Sequence, residues 1–249
     1  MATRSRYILQ IQEQMINFEQ ILSEGITINT SGTTGTPKHI FQSPVKLRAA
    51  NLIAVDCQKI TSNSSIYTVC SIDHAGGLLA QTLPAYSIGA SVTVSTFNAF
   101  NFIKTFESHT HTHLTPTHAR LIMKTKSFKT ADFTGKWITC GSDSVDWDII
   151  EAFVERNAIF MVNWGMTEIG PCAINTVFNT MDEISIYRHQ APSGTTILGD
   201  TSYCDTDVRD GRLFVKGDIS VYGDDWYDTG DLVQTVNGIM YYTGRQLVA

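Results

Sequence analysis

"KWITCGSDSVDWDIIEAFVERNAIFMVNWG", residues 136–165, holds an apolar run, a polar break, an amphipathic stretch and a second apolar run. The runs 136–142 and 159–165 are too short for helices and end in Gly-Ser and Trp-Gly, so they read as buried strands. Between them, 145–156 carries its apolar residues at helical spacing. A strand, a helix and a strand of these lengths form the unit of a parallel sheet covered by helices.

The same alternation extends toward the N-terminus. Residues 65–72 and 90–95 read as strands and 112–116 as extended chain. Residues 77–89 form an expected helix stopped by Gly89, and 98–108 and 118–125 read as further helices. Ser43-Pro44 opens a helix, with Ser43 as its cap and Pro44 at its first position. Residues 26–29 form a short strand, and 7–22 place Ile8, Ile11, Met15, Phe18 and Leu22 on one helical face before Gly25. Near residue 190 the pattern changes to short apolar runs separated by Gly and Asp, with Asn237-Gly238 a hairpin signal. The fold class is α/β: mainly parallel sheet layers covered by helices, with a C-terminal antiparallel β subdomain. The expected division is an α/β core over 1–185 and the β subdomain over 186–249.

A chain of 249 residues that is 43% hydrophobic can bury a substantial core. Its net charge of −6 and its lack of any Lys/Arg block argue against an extended nucleic-acid footprint and favour a small-molecule partner. Cys57, Cys70, Cys140, Cys172 and Cys204 are scattered, with no C-x-x-C spacing, as expected of reduced thiols. No signal-peptide pattern opens the sequence and no apolar run is long enough to span a bilayer. The expectation is a cytoplasmic protein without a membrane segment.

Three stretches carry chemistry. In "INTSGTTGTPKHI", 28–40, backbone N–H groups around Gly32 and Gly35 can converge on an anion. Thr30, Ser31, Thr33 and Thr34 supply hydroxyls and Lys38 a charge. The spacing is not that of G-x-x-x-x-G-K-[ST], because Thr36-Pro37 precede the lysine and no hydroxyl follows it. A polar surface hairpin is the alternative. In "NWGMTEIGP", 163–171, a buried strand ends in polar residues at the sheet edge where ligands bind in open α/β folds. Trp164 offers a flat face, Thr167 a hydroxyl and Glu168 a hard oxygen suited to magnesium. In "WYDTGDL", 226–232, an Asp in a Thr-Gly-Asp turn can accept both hydroxyls of a ribose, and Arg245 follows in "TGR". Apart from these, His109, His111 and His113 alternate along "SHTHTHLTPTH", with His118 beyond. That pattern fits either three ligands for zinc or an ordinary buried strand.

In this order the three motifs resemble those of the adenylate-forming (AMP-binding) superfamily: acyl-CoA synthetases, luciferases and adenylation domains of peptide synthetases. "SIDHAGGLL", 71–79, resembles the segment of acyl-CoA ligases with a His before Gly-Gly. "TCGSDSVDWDIIEAF", 139–153, resembles the turn and helix that wall the adenine. The compact spacing is most similar to o-succinylbenzoate–CoA ligases. The resemblance implies that Ser31, Thr33, Thr34 and Lys38 hold the β- and γ-phosphates, with Thr30, Gly32 and Gly35 also binding the nucleotide. It implies that Gly141, Ser142, Asn163, Trp164 and Gly165 frame the adenine, Thr167 contacts the α-phosphate and Glu168 holds Mg²⁺. Asp231 and Arg245 would bind ribose, and His74 would sit beside the attacking carboxylate. His74, Thr167 and Lys38 are the implied catalytic residues.

The implied reaction joins ATP and a small carboxylic acid as an acyl-adenylate, with coenzyme A as a second substrate. The pocket for the acid is expected near His74, Gly76, Gly77 and the segment "EIGPCAIN" after Glu168. Family members carry a longer N-terminal region and continue past the Gly-Arg pair into a small domain with a catalytic lysine. This sequence ends at "GRQLVA", so a separate C-terminal-domain protein is an expected partner, adenylation by the chain alone is expected to be slow, and a homodimer covering an apolar flank is a further expectation. A non-catalytic nucleotide-binding module and a stand-alone adenylyltransferase are the alternatives to the ligase.

Overall fold

The computed structural model describes residues 17–30 and 38–246. Helix α1 (Phe18–Glu24) is capped by the Asn17 side chain, and Gly25 ends it at φ 87°; the expected earlier turns of this helix lie outside the described residues. Strands β1 (Ile26–Thr30) and β2 (Lys38–Gln42) pair antiparallel, Thr30 opposite Lys38. Helix α2 (Pro44–Cys57) starts as its sequence demands, the Ser43 side chain accepting from the Lys46 N–H and Pro44 in the first turn.

The main sheet contains β3 (Ser65–Thr68), β4 (Ser91–Val94), β5 (His111–Leu114), β6 (Trp137–Gly141) and β7 (Ile159–Met166), all parallel. It also contains β8 (Gly170–Phe178) and the short β10 (Thr201–Ser202), both added antiparallel, and the order across it is β10-β8-β7-β6-β5-β3-β4. Side chains alternate between its faces. Ile138, Cys140, Phe160 and Val162 point to one side, where they meet Phe102, Phe106 and Phe153 of the helices α5 (Ala99–Phe106) and α7 (Trp147–Val154). Trp137 and Met161 point to the other, against Ala54 and Cys57 of α2. Helix α6 (Pro116–Met123) adds Ala119 and Ile122 to the first layer. Burial on both faces is why these strands read as near-continuous apolar runs.

A second, antiparallel sheet is built from β9 (Thr196–Gly199), β11 (Asp205–Arg209), β12 (Arg212–Lys216), β13 (Tyr227–Val236) and β14 (Ile239–Arg245), in the order β11-β12-β13-β14-β9. Asn237 and Gly238, both at positive φ, turn β13 into β14. Ile169, Ala173 and Ile174 pack with Leu198, Leu213, Val215 and Val233, joining the edge of the main sheet to the second sheet.

The structure departs from the sequence reading at several places. Strand β3 stops at Thr68, short of 72. The helix expected over 77–89 is three pieces: α3 (Ala75–Gly77), a π-turn at Leu78–Thr82 and α4 (Leu83–Ser87). Pro84 has no N–H to give the Ala80 carbonyl, and that carbonyl accepts instead from Gln58 Nε2 at 2.6 Å. "EIGPCAIN" does not form a loop around a cavity: it runs into β8, where Cys172, Ala173 and Ile174 are core. Helix α8 (Met181–Gln190), opened by a Thr180–Glu183 capping box, precedes the second sheet.

The zinc reading of the histidines fails. His109 bonds Thr105 O and Thr93 Oγ1, at 2.9 and 3.0 Å. His111 bonds Thr110 Oγ1 and Gln58 O, at 2.7 and 3.0 Å. Among the described residues, no group of three or more His, Cys, Asp or Glu is placed to hold a metal ion. Among them, too, no helix is long and apolar enough to cross a membrane.

Candidate active site

The carboxyl ends of β6 and β7 face β13 and β14 across a cavity of about 780 Å³. Chain segments far apart in sequence meet on its walls: Thr30 and Lys38 from the first hairpin, Ser142 to Val145 after β6, and Val162 to Glu168 at the end of β7. Thr196 to Leu198 come from β9, and Trp226 to Thr229, Asp231, Tyr242, Arg245 and Gln246 from the second sheet.

The β6 end is shaped by a close approach. A Cβ on Gly141 would stand 2.3 Å from the Asn163 carbonyl oxygen, so only glycine lets β6 pair this tightly with β7. Ser142 then takes φ 75°, unusual for a residue with a side chain, and swings the following loop over the cavity. Gly141 itself does not line the cavity; it sets the position of Ser142 and Asn163.

At the end of β7, the Trp164 indole N–H donates to Asp231 Oδ2 at 2.8 Å. Asn163 is buried at 7% exposure, and its Oδ1 has no partner. Thr196 Oγ1, also on the cavity wall, is buried and unpartnered. Both residues line the cavity, and each keeps a buried oxygen without a partner. The Thr167 carbonyl is tied down by Gln42 Nε2 at 2.6 Å. Glu168, 6% exposed, accepts from Tyr227 OH at 3.4 Å, and Lys38 Nζ stands 3.9 Å from the same oxygen. Burial, followed by the Glu168 charge, pushes the Tyr227 hydroxyl above its ordinary range.

Thr229-Gly230-Asp231 forms a bulge within β13 and not the turn expected: Arg212 pairs with Leu232, but Phe214 pairs with Asp228. The Thr229 hydroxyl donates to Leu213 O at 2.8 Å and accepts the Asp231 N–H at 3.0 Å. Asp231 is thereby aimed inward, 3% exposed, with Arg245 Nη1 at 3.3 Å from its Oδ1. Burial raises the Asp231 carboxyl above its ordinary range, opposed by Arg245 and by the Trp164 N–H. Arg245 faces Asp231 because the two are register partners across β13 and β14.

Ten of the residues singled out from the sequence share this cavity: Thr30, Lys38, Ser142, Asn163, Trp164, Gly165, Thr167, Glu168, Asp231 and Arg245. Ser31, Gly32, Thr33, Thr34 and Gly35 lie outside the described residues, between two strand ends that reach the cavity. His74 stands apart, exposed at the start of α3. Sequence reasoning missed Tyr227, although it sits inside a quoted motif and an aromatic hydroxyl before Asp-Thr-Gly-Asp was a visible signal. It also missed Thr196 to Leu198, for which no local signal existed, since β9 reaches the cavity only through its pairing with β14.

Known proteins share both the sequence and the architecture. An indoleacetate–CoA ligase of Aromatoleum aromaticum is 27% identical over 241 residues, 87% of this chain and 46% of that protein. The inhibitor-bound N-terminal domain of FACL13 from Mycobacterium tuberculosis superimposes with a TM-score of 0.73 at 17% identity, covering 88% of this chain and 60% of that one. ATP-bound MatB from Rhodopseudomonas palustris does so at 0.74 and 18%, covering 88% and 47%. At such identities the solved structures establish the fold: the large domain of adenylate-forming enzymes. The chain spans a half or less of the length of the curated relatives it matches. The model of the family described as AMP-binding enzyme matches residues 26–223, most of the sequence, and the chain belongs to that family.

Proposed function

We propose that this chain is the nucleotide-binding core of an ATP-dependent carboxylate ligase of the acid–thiol type. The observation that carries the reading is the meeting, around one cavity, of Lys38, Glu168, Trp164, Asp231 and Arg245 from four separate stretches of sequence. Asp231, held in a bulge and flanked by Arg245, accepts the ribose hydroxyls. Asn163 Oδ1 accepts a donor such as an exocyclic amine of adenine, beside Ser142 and Gly165. Lys38, the first residue of β2, faces the β- and γ-phosphates, and Thr167 the α-phosphate.

Magnesium fits this donor set in one way. Glu168 is a buried carboxylate on the cavity wall, and among the described residues no group of three or more His, Cys, Asp or Glu forms a cage. The ion would therefore take its other oxygens from phosphates and water, as magnesium commonly does. When bound, it supplies positive charge that neutralises the phosphate oxygens.

In the reaction, a carboxylate oxygen of the acid forms a bond to the α-phosphorus as the bond to the β-phosphate oxygen breaks, and pyrophosphate leaves. A carboxylate is already a nucleophile, so the residues here need only bring two anions together and offset charge developing on phosphate. His74 precedes the segment nearest Ser142 and is assigned to the approach of the acid. The relative named for indoleacetate supports an aromatic acid as substrate and coenzyme A as acceptor. A lysine-bearing partner domain, a homodimer and a cytoplasmic location belong to the same reading.

Calorimetric titration with AMP, and with ATP and magnesium, tests it. Binding at micromolar to millimolar concentration is expected; no heat and no thermal shift would refute it.

A further inference from the structure

Glu168 lies in the turn between β7 and β8, inside the register pair Met166 and Gly170, and it is held at both backbone and side chain. Its own carbonyl accepts the Val221 N–H at 2.8 Å, and the carbonyl before it accepts from Gln42 Nε2. Among the described residues its carboxylate has two partners, and both address Oε1: the Tyr227 hydroxyl at 3.4 Å and Lys38 Nζ at 3.9 Å. None of these residues makes a hydrogen bond to Oε2.

The two partners of Oε1 differ in what they can fix. Lys38 is a charge on a flexible four-carbon stem, its side chain 51% exposed, and at 3.9 Å it is beyond hydrogen-bond range. It supplies attraction but little direction. The Tyr227 hydroxyl sits on a rigid ring, and that ring stacks on Tyr222 with centroids 4.7 Å and planes 10° apart. The loop carrying Tyr222 is closed on itself, the Gly217 N–H donating to Gly223 O at 3.0 Å and the Gly223 N–H to Ser220 O at 3.1 Å. It is also braced from outside: Ile219 packs with Ile169, and Lys46 Nζ of α2 donates to Asp218 O at 2.7 Å. One ordered loop thus grips the Glu168 backbone through Val221 and supports, through Tyr222, the ring that meets its carboxylate.

We infer that Tyr227 is a positioning residue: its hydroxyl fixes the Glu168 carboxylate by Oε1 and keeps that orientation for magnesium when Lys38 turns to the phosphates. The inference rests on the roles proposed above for Glu168 and Lys38. A carboxylate that ligates a metal is oriented by the groups hydrogen-bonded behind it, and such groups tune affinity without touching the ion.

The test titrates the 249-residue chain calorimetrically with AMP, with ATP in EDTA and with ATP and magnesium. Loss of a group behind a metal ligand commonly costs about tenfold or more in metal affinity, and the length of the Tyr227–Glu168 bond puts this case at the lower side. Tyr227→Phe keeps the ring and its stack and removes one oxygen. It should weaken ATP–magnesium binding by about fivefold or more, while AMP and ATP in EDTA move less than about twofold. A residue serving only the fold would shift all three together, along with the thermal midpoint. Glu168→Gln should abolish the gain in ATP affinity from magnesium. Adding Tyr227→Phe to it should then change nothing further, because the hydroxyl acts through that carboxylate. An unchanged magnesium gain in Tyr227→Phe, or a further loss in the double variant, overturns the inference. So does a parent chain that binds AMP but gains nothing from magnesium, an outcome that leaves the nucleotide-binding reading standing. A parent chain that binds no AMP overturns that reading and this one with it.

Discussion

The indole N–H of Trp164 donates to Asp231 Oδ2 across 2.8 Å, joining residues 67 positions apart. Trp164 ends the last parallel strand of the main sheet, and Asp231 sits in the bulge of the second sheet. The bond therefore fixes the two sides of the cavity relative to each other. It also holds one oxygen of Asp231, leaving the carboxylate preorganised before any ligand arrives.

Asp231→Ala should weaken AMP binding more than Lys38→Ala. AMP keeps the ribose but lacks the phosphates that Lys38 faces, and loss of a charged acceptor costs about 1.5–3 kcal/mol. Calorimetry on the two variants checks the order; a larger loss at Lys38 would reverse the role assignment.

Asp231→Asn should trade binding for stability. Burial raises the folded-state pKa of Asp231, so its contribution to stability is fullest below the unfolded value and is lost as pH rises through the folded one. At neutral pH the wild-type chain bears the buried charge and the Asn variant does not. The variant should show the higher urea midpoint at pH 7, the gap narrowing as pH falls toward 4, while its AMP affinity drops. An equal or lower midpoint at pH 7 would contradict this.

Gly141→Ala should destabilise the fold by about 2–4 kcal/mol, because the new methyl meets backbone and not a side chain that can rotate away. The obstacle is the Asn163 carbonyl oxygen at 2.3 Å. Urea denaturation measures the loss. A neutral result would mean that β6 and β7 can separate at no cost.

Gln58→Leu should cost roughly 3 kcal/mol, since several buried groups lose partners at once. Gln58 Nε2 serves the carbonyls of Ala80 and Ala54, and its Oε1 accepts from Gln81 Nε2 and Thr139 Oγ1, at 2.8 and 2.6 Å. The same denaturation experiment reads it. A π-turn that persisted without Gln58 would assign its origin to Pro84 alone.

The alternation of strands and helices from 65 to 165 was legible because parallel strands buried on both faces are mostly apolar, as β6 is. The strand β8 was not legible. Its "GPCAINTVF" holds a proline and an asparagine, and its antiparallel return is possible only because Gly165 lets the chain cross within 2.3 Å, by its own missing Cβ, of the Gly170 carbonyl. The three-part helix at 75–87 was half legible: Pro84 marks the break, but the acceptance of Gln58 by the freed carbonyl joins residues 22 apart.

The sequence by itself determined which chemical groups are present and in what order. Hydroxyls and a lysine around two glycines, a glutamate after a buried strand and an Asp-Arg pair in a β tail are properties of local stretches. Tertiary structure alone decided that Trp164 meets Asp231, that Tyr227 reaches Glu168 and that His113 is left without a partner. Those outcomes depend on strand register and bulges, where a one-residue slip sends a side chain to the opposite face. Register is set by the packing of distant segments against each other, and no local pattern encodes it.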